Sequence, residues 1–197
     1  MKQSIIRKTN RALYARIAAG IGGLLAGALS LGLSIYETRT GEEVRQAAVG
    51  TALDSGQWKV TLNSASLITR TTDGLRIADG KKALSVDLTL ENLTAESSNL
   101  YREAIKLDNV ANAPIPQFYL VRDHELLWDL QPMMPETVRA VWELPATQAL
   151  PKILKVTVVG TTYKPKDNLY AAPGWFNPTN IARIDLPIAP AAEGASP

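Results

Sequence analysis

The segment LSVDLTLEN (Leu84–Asn92) decides the fold class, because apolar and polar residues alternate along its whole length. Alternation with a period of two places the apolar side chains on one face of an extended strand and the polar ones on the other. Such a strand packs one face against a core and leaves the other to solvent, as in antiparallel sheets. Asn92 predicts the end of the strand, because asparagine favours turns in which its side chain bonds its own backbone.

The same alternation recurs along the chain, and turn residues separate the segments that carry it. The pattern predicts seven to nine short strands and no long amphipathic helix, which indicates an antiparallel β-sandwich. Two tryptophans, Trp58 and Trp142, fall on the apolar phase and are predicted to lie in the core. The other predicted elements are strands at 58–62, 138–144, 154–158 and 181–186 and a hairpin whose tip is Arg122–Glu125.

A membrane segment precedes these strands. Residues Ile17 to Ile35 include no charged side chain in 19 positions. At 1.5 Å per residue, a helix of that length just spans a bilayer core of about 30 Å. The alternative is a cleaved signal peptide, whose apolar region is shorter and ends at a small-x-small site. Because Tyr36–Arg39 is a poor cleavage site, the sequence favours an uncleaved transmembrane helix over residues 17–36.

The charge distribution orients this helix. Residues 1–16 contain five basic residues and no acid, whereas the rest of the chain sums to −3. The positive-inside rule then places the N-terminus in the cytoplasm and the C-terminal domain outside a bacterial inner membrane, in the periplasm or extracellular space. The predicted parts are a cytoplasmic tail (1–16), the membrane helix (17–36), a linker (37–56) with a short helix over Glu42–Ala48, the sandwich (57–187) and a flexible tail (188–197).

Small residues recur every four positions along the predicted membrane helix. Ala19, Gly23 and Gly27 lie on one face, and the last two form a GxxxG motif that lets two helix backbones approach closely. This pattern predicts contact with a partner helix or with a second copy of the chain. The alternative is that small residues are simply common in membrane helices.

An aromatic segment lies near the C-terminus, between Tyr163 and Pro178. Its prolines and glycine predict a long loop that either packs on its own sandwich or binds a partner. The candidate partner-binding side chains in it are Tyr163, Tyr170, Trp175 and Phe176.

The composition argues against most kinds of catalytic chemistry. The chain contains no cysteine, and its one histidine, His124, lies between two acids at the predicted hairpin tip. A zinc site normally needs several His or Cys ligands, and a hydrolase triad needs a buried histidine. No phosphate-binding, nucleophile-elbow or dinucleotide-binding glycine motif is present. The sequence therefore predicts no catalytic residue, cofactor or metal, and the acidic balance after residue 16 gives no support for nucleic-acid binding.

Several short motifs carry a family resemblance over about residues 55–187. The chain resembles a bacterial group of membrane-anchored or lipid-anchored extracytoplasmic proteins with an immunoglobulin-like sandwich, many of unassigned function. The resemblance implies that fold and an envelope location, but no single activity and no site residue. Here the Ile17–Ile35 helix would replace the lipidated cysteine. The motifs are Gly56-x-Trp-x-Val60, Val86–Thr94, Phe118–Asp123, Leu130–Glu136 and a strand ending at Pro145.

Together these features predict a non-enzymatic accessory subunit that docks its sandwich on an integral membrane complex, such as an export or transport system. One alternative is a stand-alone envelope domain that binds a ligand or mediates adhesion. Another is a carboxylate-dependent hydrolase acting on carbohydrate, which would need two acids about 5–9.5 Å apart across a cleft. No spacing of acids in the sequence suggests such a pair.

Overall fold

A computed structural model describes Gly27, Ser30, Leu31 and residues 44–191. The chain divides into two compact units, Met1–Glu43 and Val44–Pro197. In the first unit, the three described residues are helical. No helix formed by described residues is both long and apolar enough to cross a bilayer. The predicted cytoplasmic tail and nearly all of the predicted membrane helix fall outside the described part.

The second unit consists of strands and turns, so the mainly-β prediction is confirmed. Most of its strands begin or end at the turn residues that the sequence indicated. The strands are β1 (Ala52–Asp54), β2 (Trp58–Ile68), β3 (Lys81–Asn92), β4 (Ile105–Leu107), β5 (Gln117–Leu120), β6 (Glu125–Leu126), β7 (Glu136–Pro145), β8 (Ile153–Lys164) and β9 (Gly174–Ala189).

The strands form two sheets that face each other as a β-sandwich. The larger sheet has the order β1-β2-β3-β7-β5-β6, and the smaller has the order β4-β8-β9. Neighbouring strands within each sheet are antiparallel. The sheets join along one short parallel pairing of β2 with β9, where Ala65 lies opposite Ile188.

The core lies between the sheets. The four apolar residues of the β3 segment, from Leu84 to Leu90, are fully buried, and so is their counterpart set on β8 and β9. Trp58 and Trp142 are also buried, which confirms their predicted core position. Fully burying side chains of this size stabilises the fold by about 1.5–3 kcal/mol each. The core side chains of these strands are Leu84, Val86, Leu88, Leu90, Leu154, Val156, Val158, Ala182, Ile184 and Leu186.

The outer face of the larger sheet is charged in part, as the polar phase of the alternation requires, and it also holds a small apolar cluster around Val141. Arg139 on β7 forms a two-pronged ion pair with Asp87 on β3, at 2.6 and 3.1 Å. Lys59 on β2 pairs with Glu91 at 2.7 Å. Partly exposed pairs of this kind contribute little free energy, but they keep this face polar.

The predicted linker (37–56) is partly wrong, because the described residues within it belong to the sandwich. Strand β1 pairs with β2, and Gln46 forms a parallel bridge with Arg183 on β9. The amide of Ala47 donates to the carbonyl of Arg183 at 2.9 Å, so residues 45–47 are extended. The prediction of a short helix over Glu42–Ala48 is therefore wrong for its described residues, 44–48, which are not helical. Pairing with the exposed edge of β9 satisfies backbone groups that a single helical turn would leave unpaired.

Candidate functional site

The aromatic segment is a projecting β-hairpin. Strand β8 runs to Lys164 and β9 begins at Gly174, so Tyr163, Trp175 and Phe176 lie in strands. The predicted long loop is therefore wrong for these three residues, and only Tyr170 lies in the connecting turn. The reason is cross-strand pairing: Tyr163 is registered directly with Trp175, which extends the ladder past the turn residues.

The four aromatic side chains form two pairs on this hairpin. The ring centroids of Tyr163 and Trp175 are 5.5 Å apart, with planes inclined by 60°. Tyr170 stacks on Phe176 at 6.3 Å, and the Nζ atom of Lys164 lies 5.7 Å from the centroid of the same Phe176 ring. The rings therefore pack on one another rather than into the core, and Tyr163 and Tyr170 remain exposed.

A groove lies at this end of the sandwich, between the hairpin and residues 94–104. It consists of two adjoining cavities of about 440 and 610 Å³. Both cavities are lined by Gln57, Asn99, Leu100 and Trp175, so we treat them as one site and call it the end groove. Tyr163 lines the larger cavity, which brings the first aromatic pair into the site.

The floor of the end groove depends on Gly56 and Gln57. Gly56 has a φ of +89°, and a Cβ atom there would lie 2.1 Å from the carbonyl oxygen of Thr161 and 3.1 Å from the ring of Trp175. Only glycine tolerates both the backbone conformation and this approach. The buried amide of Gln57 donates to the hydroxyl of Ser98 at 2.8 Å, which ties the floor to the opposite wall.

An aromatic cluster supports the wall opposite the hairpin. Tyr101 packs edge-on against Trp58 and Phe118, with ring centroids 5.9 and 5.0 Å apart. Its hydroxyl lies within hydrogen-bond distance of two carbonyl oxygens that can accept its proton, that of Leu127 at 2.5 Å and that of Trp128 at 2.9 Å. Burial raises the pKa of Tyr101 to about 12. Tyr101 is therefore a neutral, structural residue that fixes the wall.

Apolar side chains remain exposed along this end of the domain. Leu100 lines the end groove and is 65% exposed. Arg102 lines both the end groove and a third cavity of about 260 Å³, whose wall includes Trp128. The indole of Trp128 is 75% exposed. The third cavity thus adjoins the end groove at Arg102, and we call the exposed apolar side chains along the three cavities the apolar track.

Polar side chains form much of the lining of the end groove, and they include Glu96 in the larger cavity. Asn99, Arg102 and Glu103 line the smaller cavity, and Asp129 lines the larger one. Across the described residues, no three His, Cys, Asp or Glu side chains converge as a metal site would require. The end groove thus combines apolar side chains with several polar ones, as the binding sites of protein partners and of small ligands do.

The other residues singled out from the sequence lie elsewhere. Ala19 and Gly23 fall outside the described residues, and Gly27 is helical and exposed. His124 lies in the turn between β5 and β6, with a φ of +56°. His124 does not line the end groove.

Sequence reasoning missed Gln57, Leu100, Arg102 and Trp128, which complete the groove and the apolar track. Leu100 and Trp128 carried a weak signal, because both are large apolar residues outside the clearest alternating segments. Gln57 carried no such signal, because its buried position depends on a hydrogen bond to Ser98, which is distant in the sequence.

Comparison with known proteins adds a structural likeness. No family model matches the chain, and no curated protein matches it in sequence. An uncharacterized β-sandwich protein from Clostridium difficile 630 is similar in structure, with a TM-score of 0.45 and 10% sequence identity. The match covers 74% of this chain and 96% of that protein.

Proposed function

We propose that this protein is a non-enzymatic, membrane-anchored accessory subunit whose sandwich docks on an integral membrane complex, such as an export or transport system. The observation that carries the proposal is the end groove, which exposes Leu100 and Tyr163, with Trp128 exposed in the adjoining cavity. The anchor and its orientation rest on the charge-free segment Ile17–Ile35 and the basic residues before it.

The exposed apolar side chains favour a protein partner. Removing apolar surface from water contributes roughly 25 cal/mol per Å², so large exposed aromatic and leucine side chains gain free energy when a partner covers them. Tryptophan, tyrosine and arginine are also the residues most often found at the energetic centres of interfaces. The track holds Trp175 and Tyr163 at one end, Arg102 in the middle and Trp128 at the other.

We further infer that the sandwich is of the immunoglobulin-like class. The strand order supports this: β2-β3-β7-β5 in one sheet and β4-β8-β9 in the other follow the A-B-E-D and C-F-G pattern of constant-type domains. In such domains, the loops and hairpins at the ends of the sandwich commonly carry recognition. The end groove lies at one of these ends.

The alternative is a stand-alone envelope domain that binds a ligand or mediates adhesion. One observation favours it: the end-groove cavities, at about 440 and 610 Å³, fall within the 300–1,000 Å³ typical of small-molecule sites. This alternative requires no membrane partner, so binding would survive removal of residues 1–40.

Crosslinking in the native membrane tests the proposal. The full chain is purified from membranes after crosslinking, and the proteins that accompany it are identified by mass spectrometry. The double variant L100S/W175A should lose the partner, whereas I153S should keep it, because Ile153 is an equally apolar, half-exposed residue at the far end of β8. Circular dichroism verifies that both variants fold.

Retention of the partner by folded L100S/W175A would overturn docking through the end groove. The anchor is tested separately with G23L and G27L, which should weaken co-purification if the small-residue face packs against a partner helix. Unchanged recovery in these variants would remove the anchor face from the interface and leave the groove as the docking site.

A further inference from the structure

The tip of the β8–β9 hairpin, residues 165–173, is an ordered turn that exposes two large side chains. Leu169 is 80% exposed and Tyr170 is 69% exposed. Both follow Asp167, whose Oδ1 atom accepts hydrogen bonds from the amide of Leu169 at 2.8 Å and from that of Tyr170 at 3.2 Å. The turn therefore presents these side chains to solvent in a fixed arrangement.

Further hydrogen bonds close the tip across its base. The amide of Asp167 donates to the carbonyl of Ala172, and the amide of Ala171 donates to the carbonyl of Asp167, both at 2.9 Å. The second carboxylate oxygen of Asp167 lies 3.5 Å from the Nζ atom of Lys164, which neutralises its charge. Lys166 is exposed, so the surface of the tip combines a leucine, a tyrosine and a cation.

The direction of the chain places this tip on the side from which the chain enters the domain. Residues 45–47 run parallel to β9, with Gln46 beside Arg183. Since β9 starts at the hairpin and runs away from it, Val44 lies on the hairpin side of Gln46. The domain therefore begins on the side where the tip lies, and the predicted membrane segment precedes it in the sequence.

The lengths agree with contact between the tip and the bilayer. Seven residues, and so eight Cα–Cα steps, separate Tyr36, at the end of the predicted membrane helix, from Val44. Fully extended, they span at most about 28 Å. From the level of Val44 back to Gly174, β9 extends a further roughly 20–25 Å, and the tip lies beyond Gly174. A tether of that length would allow the tip to reach the membrane surface.

We propose that the hairpin tip is a lipid-contacting element in which Leu169 and Tyr170 insert into the interfacial region of the bilayer. This inference rests on the anchored arrangement proposed above and adds a second point of membrane contact. Tyrosine and leucine favour that region, and Lys166 lies where it can meet anionic headgroups. Because the anchor keeps the domain at the surface, even a weak contact is populated through its high effective concentration.

Single-cysteine labelling of the full chain in lipid nanodiscs tests the inference. The chain contains no cysteine, so N168C carries a unique fluorophore beside the two apolar side chains and leaves both in place. T147C, in an exposed turn at the opposite end of the sandwich, is the matched control. The nanodiscs contain phosphatidylcholine with a minority of phosphatidylglycerol and a quencher attached to the lipid headgroups.

Quenching at position 168 should exceed that at position 147 several-fold, and the added substitutions L169S and Y170S should reduce it to the control level. Equal quenching at both positions, in chains retained by the nanodiscs, would overturn the tip contact and leave the anchored function intact. Quenching that appears only after a membrane partner is added would also overturn it, because the tip would then reach the lipids through that partner and not by its own insertion. Failure of the chain to remain in the nanodiscs would overturn both proposals.

Discussion

Tyr163 and Trp175 lie directly opposite each other on β8 and β9, with their ring centroids 5.5 Å apart. This pair extends the hairpin beyond the sandwich and forms one wall of the end groove. The groove therefore depends on cross-strand packing rather than on a loop.

The aromatic pair should be energetically coupled. In a double-mutant cycle, Y163A and W175A should show an interaction free energy of about 0.5–1.5 kcal/mol, because each ring packs on the other beyond its own burial. Urea unfolding of the wild type, both single variants and the double variant measures it. Additive free energies of unfolding would mean that the two rings stand independently and that the hairpin is held by its backbone ladder alone.

Gly56 should be irreplaceable even by alanine. The added methyl group would meet the carbonyl oxygen of Thr161 at 2.1 Å, and the backbone has a positive φ. We expect G56A to lower the free energy of unfolding by about 3 kcal/mol or more, since a backbone atom cannot move aside cheaply.

G74A is the matched control for this glycine. Gly74 has nearly the same φ, +85°, but no atom lies within 4 Å of the place where its Cβ would be. G74A should therefore cost only the strain of the left-handed conformation, about 1 kcal/mol. If G56A and G74A were equally destabilising in urea unfolding, the contact of the added methyl group with the carbonyl oxygen of Thr161 would not contribute to the loss of stability.

The sequence predicted those parts of the fold that depend on local periodicity. The run from Leu84 to Leu90 has one fully buried face, because its period of two matches the pleat of a strand between two layers. The turn at Asn92 was also predictable from local sequence, because the side chain of asparagine accepts a hydrogen bond from the backbone two residues later. The sequence also indicated where the hairpin tip at His124 lies, because the residues around it are charged and flanked by apolar runs.

The features missed from the sequence depend on contacts between distant residues. Residues 45–47 are extended because Arg183 offers them backbone partners, although their own sequence favours a helix start. The end groove needs Trp175 beside Gln57 and Leu100, which are far apart along the chain. No periodic pattern in the sequence indicates which distant residues come into contact. The sequence therefore predicted the aromatic residues of the site but not the groove that they line.

Alkaline pH should reveal the buried Tyr101. Its pKa is raised by burial to about 12 in the folded protein, above the value of about 10 in the unfolded chain. The contribution of the neutral hydroxyl to stability is therefore complete below pH 10 and declines as the pH rises through about 12. Absorbance at the tyrosinate band should show a late-ionising group that Y101F removes.

The dependence of stability on alkaline pH should also become shallower in Y101F. The pKa of Tyr119 is also raised by burial, so Tyr119 should still contribute to the pH dependence of stability in Y101F. Y119F, which removes that contribution and keeps the one from Tyr101, is the comparison. If Y101F lost amplitude only from the early tyrosinate phase and kept the late phase in full, Tyr101 would ionise with the exposed tyrosines and would not be desolvated in solution.

Asn92 should be among the most sensitive polar residues of the domain. Its buried side chain donates to the carbonyls of Glu96 and Leu130, at 2.8 and 2.9 Å, and accepts from the amide and hydroxyl of Thr94, at 3.0 and 2.7 Å. N92A would leave these groups without partners at the strand end, at a cost of about 2–4 kcal/mol in the free energy of unfolding.

N63A is the matched control, because the exposed Asn63 makes one hydrogen bond, to Thr89 at 3.3 Å, and its loss should cost under about 0.5 kcal/mol. Urea unfolding compares the two. A cost for N92A as small as that for N63A would mean that water replaces the lost bonds and that the turn is solvated.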